Sequence, residues 1–402
     1  MTNLRTLDGL DVAGKRVVVR ADLNVPMNGE SVADDARIRS LVPTLAELAE
    51  KGATVVMLSH FGRPNGKVVA DLSLAPLRQP LEARAGRPVR FVPMDWAHAD
   101  PVRPASRHDE IVLMENTRFH PGEETNDPLF SHTLANLGDI FVNDAFSAAH
   151  RAHASTEGIA RLLPSFAGRS MQAELRALDA ALGKPGRPIG AVIGGAKIST
   201  KLALLENLVK RVDLLFVGGG MANTLLQAQG VAVGRSIYEP QLAATAIRLL
   251  RRAADHRCTV VLPKDVVIAD RLAPDVPSET VRVGNIPRES MILDLGPATV
   301  ADIAEKFLGL RTLLWNGPLG AFEIKPFEHG TFALAQAAAR LTQTGKLLSV
   351  AGGGDTLAAL GGAGVIDDFS YVSTGGGAFL EWLEGRRLPG VAILETDTGM
   401  EI

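Results

Sequence analysis

Residues 16–24 read RVVVRADLN. Three consecutive valines are stiff, β-branched side chains that suit a pleated strand better than a helix. With no polar residue among them, the run reads as a strand buried on both faces, the kind found in parallel sheets covered by helices. Its character changes at once after Arg20, where Asp22 and Asn24 follow. In an open parallel sheet, ligands bind beyond the carboxyl ends of the strands. The stretch therefore predicts both an architecture and the edge at which chemistry belongs.

The same signature recurs outward along the chain. In the first half, further runs are residues 54–59 (TVVMLS), 111–114 (IVLM) and 140–142 (IFV). In the second half they are residues 189–193, 214–217, 259–262, 312–315 and 347–350. Helical patterns such as residues 36–49 and 201–210 lie between them. The two sets predict an α/β protein of two doubly wound parallel-sheet domains. The boundary is expected at residues 183–188 (GKPGRP), where Gly and Pro stop an apparent helix over residues 171–182. This gives a first domain of residues 1–168, a linking helix and linker over 169–185, and a second domain of 186–388.

A chain of 402 residues is long for a single core. With 46% apolar and 22% charged residues it has ample core material. The net charge of −3 argues against a general nucleic-acid binder or an anionic-membrane binder, so any basic site must be local. A single cysteine, Cys258, excludes an intrachain disulfide and reads as a small core residue. No signal-peptide h-region and no membrane-spanning stretch are expected, which fits a reducing cytoplasm.

In the first half, each strand exit delivers polar side chains and an arginine. After the first run come Asp22, Asn24 and Arg37; after the second, His60 and Arg63; after the third, Glu115, Asn116 and Arg118; after the fourth, Asn143, Asp144, His150, Arg151 and His153. Singly, each has an ordinary alternative: a solvated arginine, a turn residue, or, for His60, a core histidine. Together they predict one anionic ligand bearing phosphate and carboxylate, which guanidinium groups bind with paired hydrogen bonds.

In the second half, glycine clusters occupy the strand exits. Gly352-Gly353-Gly354-Asp355-Thr356 precedes a helical stretch, a place where backbone N–H groups can hold phosphate. Asp355 reads either as a Mg²⁺ ligand or as a helix N-cap. Gly194-Gly195-Ala196-Lys197 and Lys201 form a second candidate, with a helix from near Ser199 leaving both lysines on one side. For Lys197 a solvated charge is the plainer reading. Gly218-Gly219-Gly220 reads as the floor of a nucleotide base or as close packing against a helix. The P-loop, dinucleotide and protein-kinase fingerprints are all missing. Two rivals remain at this point, a two-lobed nicotinamide dehydrogenase and a non-catalytic metabolite sensor.

Ordered motifs cover almost the whole chain: RADLNVP at 20–26, DARIR at 35–39, SHFGRP at 59–64, ENTRFH at 115–120 and NDAFSAAHRAHAST at 143–156. They continue with GGAKISTK at 194–201, VGGGMANT at 217–224, WNGPLGAFE at 315–323, GGGDT at 352–356 and STGGGA at 373–378. On these segments the chain resembles the phosphoglycerate kinase family. The resemblance implies reversible Mg²⁺-dependent phosphoryl transfer between ATP and 3-phosphoglycerate, giving ADP and 1,3-bisphosphoglycerate, in a cytoplasmic monomer with no nucleic-acid or membrane partner. Position by position it implies that Asp22, Asn24, Arg37, His60, Arg63, Arg118 and Arg151 bind phosphoglycerate. Lys201, Gly218, Gly219, Glu323, Gly353, Gly354, Asp355 and Thr356 would bind nucleotide, with Asp355 on the metal and with Arg37 and Lys201 catalytic. Residues 390–402 would return to the first lobe. Phe61 and Ser147-Ala148 depart from the family pattern, the latter in the loop that carries Arg151. The region 92–100 is unusual and carries no transferred role.

Overall fold

The computed structural model describes residues 4–29, 31–93 and 109–396. The chain divides into two compact units, Met1–Arg176 with Arg387–Ile402, and Ala177–Arg386. Most of the unusual 92–100 region lies outside the described residues.

In the first unit the elements run β1 (Arg16–Arg20), a short hairpin of β2 (Met27–Asn28) and β3 (Ser31–Val32), α1 (Ala36–Glu50), β4 (Thr54–Leu58), α2 (Arg78–Ala85), β5 (Val89–Val92), β6 (Ile111–Met114), α3 (Pro128–Ala135), β7 (Ile140–Asn143), β8 (Ser165–Ala167) and α4 (Arg169–Leu178). Six strands form one sheet in the order β5-β6-β4-β1-β7-β8. Every pair in it is parallel. Alternation along β1 sends Val17 and Val19 into one core with Ile38, Leu41, Leu45 and Leu48 of α1. Val18 goes to the opposite core with Phe130 and Leu134 of α3. Each fully buried valine is worth roughly 1.5–3 kcal/mol, so both faces of the central strand are strongly held. The chain winds from β1 outward through β4, then reverses to β7 on the other side. The switch point therefore lies at the exits of β1 and β7.

The second unit runs β9 (Ile189–Ile193), α5 (Leu202–Leu208), β10 (Leu214–Val217), α6 (Gly219–Ala228), α7 (Ala243–Asp255), β11 (Thr259–Val261), β12 (Asp265–Ala269), β13 (Ser278–Arg282), β14 (Met291–Leu295), α8 (Pro297–Phe307), β15 (Thr312–Asn316), α9 (His329–Gln343), β16 (Leu348–Gly352), α10 (Gly354–Gly362), β17 (Tyr371–Ser373) and α11 (Gly377–Leu383). The main sheet has the order β11-β10-β9-β15-β16-β17, again all parallel. Its switch point is between β9 and β15. One face packs Phe216, Phe307 and Trp315 edge to face, with ring centroids 5.2 Å and 6.4 Å apart.

Three features differ from the sequence expectation. The edge strands β5, β8 and β17 are short and partly polar, so they lack a run long enough to be read. A separate antiparallel sheet, β13-β12-β14, interrupts the parallel rhythm, and its strand β13 is mostly exposed. The division between units falls inside α4 rather than beyond it. After Leu178 the helix widens into a π turn, Asp179–Gly183.

The C-terminal segment belongs to the first unit. Helix α12 (Pro389–Ala392) begins where the Gly390 amide donates to Ala149 O at 2.9 Å. Asn143 Nδ2 donates to Gly390 O at 3.1 Å, and Leu4 bridges Glu395. Cys258 is buried, and burial pushes its thiol up to about 11, as expected for an inert core residue. No helix among the described residues is long and apolar enough to cross a membrane.

Candidate functional site

At the exits of β1 and β7 the first unit assembles a set of interlocked polar groups. Arg37, at the start of α1, donates from Nη1 to Asn24 O at 2.7 Å and sits 3.0–3.1 Å from both Asp22 oxygens. Asp22 also accepts from the Asn24 amide at 3.0 Å and from the Ser147 hydroxyl. Burial pushes the Asp22 carboxyl up, but the neighbouring His60, then Arg37, Ser147 and the Asn24 amide, outweigh it and hold the group below the usual carboxylate range. Ser147, one of the two departures from the family pattern, thus ties the loop after β7 to the loop after β1.

Asn24 Oδ1 accepts from the Gly62 amide at 2.9 Å, and Arg118 Nη1 donates to Gly62 O at 2.8 Å. These bonds stitch the exits of β1, β4 and β6 together. Phe61 replaces a leucine without loss: its ring packs on the core, and its carbonyl accepts from Asn116 Nδ2 at 2.7 Å. The Arg118 guanidinium is pushed down by burial, with Glu124 and Glu123 opposing and the nearby charges of Arg151 and Arg63 adding to the shift. Arg63 and Arg151 are exposed. The predicted residues of this half thus gather at one strand edge as an excess of cationic donors. Glu115 and Asp144 do not join them. Glu115 accepts from Ser73 Oγ and the Leu74 amide, holding the following loop. Asp144 accepts from Thr44 Oγ1 at 2.6 Å and from the Met171 amide at 2.9 Å at the start of α4, and burial pushes it up to about 6.

In the second unit, Lys201 points back to the switch point. Its Nζ donates to Gly194 O at 2.8 Å and Asn316 O at 3.3 Å, the carbonyls leaving β9 and β15. Burial pushes it down to about 8, with the Asp355 carboxylate opposing. Lys197 does not share its face. It is exposed and extended, and a 3-10 turn, Ile198–Lys201, separates it from α5. Ser199 is pinned to Glu239 through both its amide (2.9 Å) and its hydroxyl (2.7 Å), and this sets the turn.

The glycines here answer to space. A Cβ on Gly194 would sit 1.7 Å from Pro318 O. Gly317, at φ +101°, would put one 2.3 Å from Gly194 O and 2.8 Å from Lys201 Nζ. Gly219 and Gly220 pack on the backbone of Gly195 and Ala196, and Gly218 on Leu319. The cluster is therefore closely packed, though against loop residues and not against a helix, and Gly219 and Gly220 also line a cavity of about 320 Å³. Exposed Ile237 and Leu272 share that lining with Leu293 and Leu319, and Glu323 and Asp355 also lie on it. It is an apolar slot with acidic groups, sized for a flat heterocycle.

At the exit of β16, Gly353 occupies the N-cap position of α10 at φ +101°. Asp355 is therefore inside the first turn and caps nothing, which removes the N-cap alternative. The first intrahelical donor is the Leu357 amide to Gly353 O at 3.0 Å. The preceding N–H groups of Gly354, Asp355 and Thr356 are left facing outward along the helix axis, where the macrodipole favours an anion. The Thr356 hydroxyl is already engaged, donating to Gly352 O at 2.9 Å and accepting from the Gly317 amide at 2.7 Å. Only its backbone remains for a ligand. Among the described residues no cluster of three or more His, Cys, Asp or Glu side chains could hold a metal alone. One carboxylate beside a phosphate site instead fits Mg²⁺ that shares its coordination with substrate phosphates.

Guanidinium groups at one strand edge, and a lysine with a helix N-terminus at another, are the equipment of an α/β phosphotransferase. The phosphoglycerate kinase family model matches residues 7–386, and the chain belongs to that family. It is 58% identical over 393 residues to a phosphoglycerate kinase of Rhizorhabdus wittichii, covering 97% of this chain and 99% of that protein. It is 56% identical to that of Zymomonas mobilis, with the same coverage. Among solved structures, phosphoglycerate kinase from Coxiella burnetii is similar with a TM-score of 0.90 at 42% identity, covering 97% of this chain and 98% of the other. That of Pyrococcus horikoshii is similar with a TM-score of 0.81 at 28% identity and the same coverage.

Sequence reasoning missed the supports. Arg20 was visible at the strand end but had no assigned partner. Glu123, Ser155 and Glu239 carry no local signal, because their partners are far away in sequence.

Proposed function

We propose that the protein transfers a phosphoryl group reversibly between ATP and the carboxylate of 3-phosphoglycerate, giving ADP and 1,3-bisphosphoglycerate, as a cytoplasmic monomer in glycolysis and gluconeogenesis. The observation that carries this reading is the pairing, in one chain of this family, of the cationic edge around Arg37 with the lysine-and-glycine edge around Lys201. Asp22, Asn24, Arg37, His60, Arg63, Arg118 and Arg151 hold the acid. Glu323 meets the ribose, Gly218 and Gly219 floor the base slot, and Lys201 and the Gly353–Thr356 backbone hold the phosphates. Asp355 would hold Mg²⁺, which supplies charge neutralisation on the phosphates when bound.

The acceptor is a carboxylate, ionised at neutral pH with a reference pKa of about 4. No general base is required, and positioning and charge neutralisation carry the catalysis. Arg37 stabilises the moving phosphoryl group from the acid side, and Lys201 from the nucleotide side. Transfer requires both ligands at once, so the two units must approach each other in the ternary complex and exclude water. Scattering with one ligand and then both should show compaction only with both. The deciding experiment is an assay in which ADP forms only when ATP, Mg²⁺ and 3-phosphoglycerate are all present. Absence of turnover with that set defeats the proposal.

A further inference from the structure

Beneath the cationic edge lies a buried layer that the proposed chemistry does not use. Arg20 is 1% exposed, and its guanidinium divides among three partners. Nε donates to Ser155 Oγ at 2.8 Å, Nη1 to Ala21 O, and Nη2 meets His60 Nδ1 at 3.0 Å. Ser155 in turn gives its hydroxyl to Glu123 Oε1 at 2.5 Å and its amide to Oε2 at 3.1 Å. Glu123 is fully buried, and burial pushes its carboxyl up while Arg20 and the two Ser155 bonds oppose that rise, so it is the acidic group set against Arg20.

A guanidinium has five N–H donors, no lone pair to offer, and does not deprotonate in proteins. The contact at 3.0 Å therefore has only one polarity: Arg20 donates and Nδ1 accepts. A ring nitrogen that accepts carries no proton, so the imidazole is neutral and its hydrogen is on Nε2. Among the described residues Nε2 makes no hydrogen bond, which leaves that N–H for a ligand. We propose that Arg20 is a positioning residue that locks His60 as the neutral Nε2–H tautomer, so that His60 meets the acid substrate as one fixed donor and not as a titrating cation.

The surroundings agree. Burial and the charge of Arg20 push His60 well below the ordinary histidine value, Asp22 opposes them, and Arg118 and Arg37 add to the downward push. These charges come from β1, the loop after it, α1 and the turn after β6, so the cationic field surrounds the ring. A further cation there would be repelled by the arginines that bind substrate. A fixed N–H adds direction without adding charge, and keeps acid binding independent of His60 ionisation across neutral pH.

The inference rests on the reading that this edge binds 3-phosphoglycerate, and its test separates the two. In the whole protein labelled with ¹⁵N-histidine, with His60 assigned by comparison with His60→Asn, the ring should show an unprotonated Nδ1 and a protonated Nε2. Both signals should stay constant from about pH 6 to 8.5. A protonated Nδ1, or titration near the ordinary value, overturns the proposal whatever the substrate is. The double variant Arg20→Met with Glu123→Gln removes the buried charge and its counter-charge together. The ratio of its KM for 3-phosphoglycerate to the wild-type KM, taken at each pH so that titration of the ligand cancels, should fall about fivefold from pH 8 to 6 as the freed His60 protonates. A pH-independent ratio in a folded double variant also overturns it. If the double variant fails to fold, the ring spectrum of the wild-type protein decides alone. Absent activity with ATP and 3-phosphoglycerate would defeat the functional reading and leave the tautomer result standing.

Discussion

The two candidate anion sites, one in each unit, meet the same demand with different material. In the first, charge comes from side chains: Arg37, Arg118, Arg63 and Arg151 gather at a strand edge, and Arg20 with Glu123 lies buried beneath. In the second, it comes mostly from backbone. One lysine bonds two strand-end carbonyls, a helix start presents amides, and glycines clear the space. The difference matters for robustness. A side-chain site loses one contact per substitution, whereas a backbone site depends on the absence of Cβ atoms and fails wherever one is added.

Substitutions and pH profiles probe that contrast. The largest effect is expected from Arg37→Ala and Lys201→Ala, each lowering kcat by about 10²-fold with a smaller rise in KM. Near-normal turnover in both would remove the two residues from the transfer step. Next is Gly317→Ala, which combines a left-handed φ with a Cβ 2.3 Å from Gly194 O, the carbonyl that accepts from Lys201. A loss of about tenfold or more in kcat/KM for nucleotide is expected. Its control is Gly361→Ala, an exposed position of α10 where a Cβ meets nothing within 4 Å. That change should leave kinetics intact and raise stability by about 0.5 kcal/mol. Equal kinetic damage from both would end the backbone-site argument.

Lys201 sharpens the contrast through pH. With its ammonium pushed down to about 8 by burial, the free enzyme loses this charge as pH rises through that value. The kcat/KM for nucleotide should fall above about pH 8, approaching a tenfold loss per unit if binding requires the charge. Binding of 3-phosphoglycerate, which does not use Lys201, should hold steady over the same interval. Parallel losses for both ligands would contradict this division.

The smallest effect on turnover concerns Asp294, near the end of β14 on the cavity that Gly219 and Gly220 line. It accepts from the Gly330 amide at 2.7 Å, and its buried Oδ1 has no partner among the described residues. Burial pushes it up to about 7, with the Gly330 and Leu295 amides opposing and Glu328 adding to the rise. Between the unfolded value of 3.8 and about 7, the native state holds a proton that the unfolded state has released. This contribution to stability is complete below 3.8 and is lost as pH rises through about 7. Asp294→Asn keeps an acceptor for Gly330 and removes the titration. Its advantage over wild type should grow from pH 5 to 8 by about 2–3 kcal/mol, read as a widening Tm difference. A Tm difference that is the same at both values would show that Asp294 does not titrate as described.

Legibility differed between the two units for the same physical reason. The interior strands β1, β4, β9 and β15 were plain in the sequence, because burial on both faces demands an unbroken apolar run. The edges β5, β8 and β17, and the antiparallel sheet β12–β14, are partly exposed and carry mixed patterns that no run reveals. Arg37, Arg118 and Lys201 were readable because chemistry follows strand exits. The reading that placed Lys197 beside Lys201 assumed α-helical spacing, and a 3-10 turn held by Glu239 replaced it. Asp355 was left between two roles until the φ of Gly353 showed where α10 begins.

Local sequence, by itself, determined which segments are the interior parallel strands, where those strands end, and that cationic or glycine-rich residues follow those ends. These are properties of neighbouring residues and need no partner. Tertiary structure decided everything that depends on a second segment: that Arg20 meets His60, that Ser147 reaches Asp22, that Lys201 turns to the carbonyls of Gly194 and Asn316. Sheet order and strand register set those distances, and a hydrogen bond survives only a few tenths of an ångström of error in them.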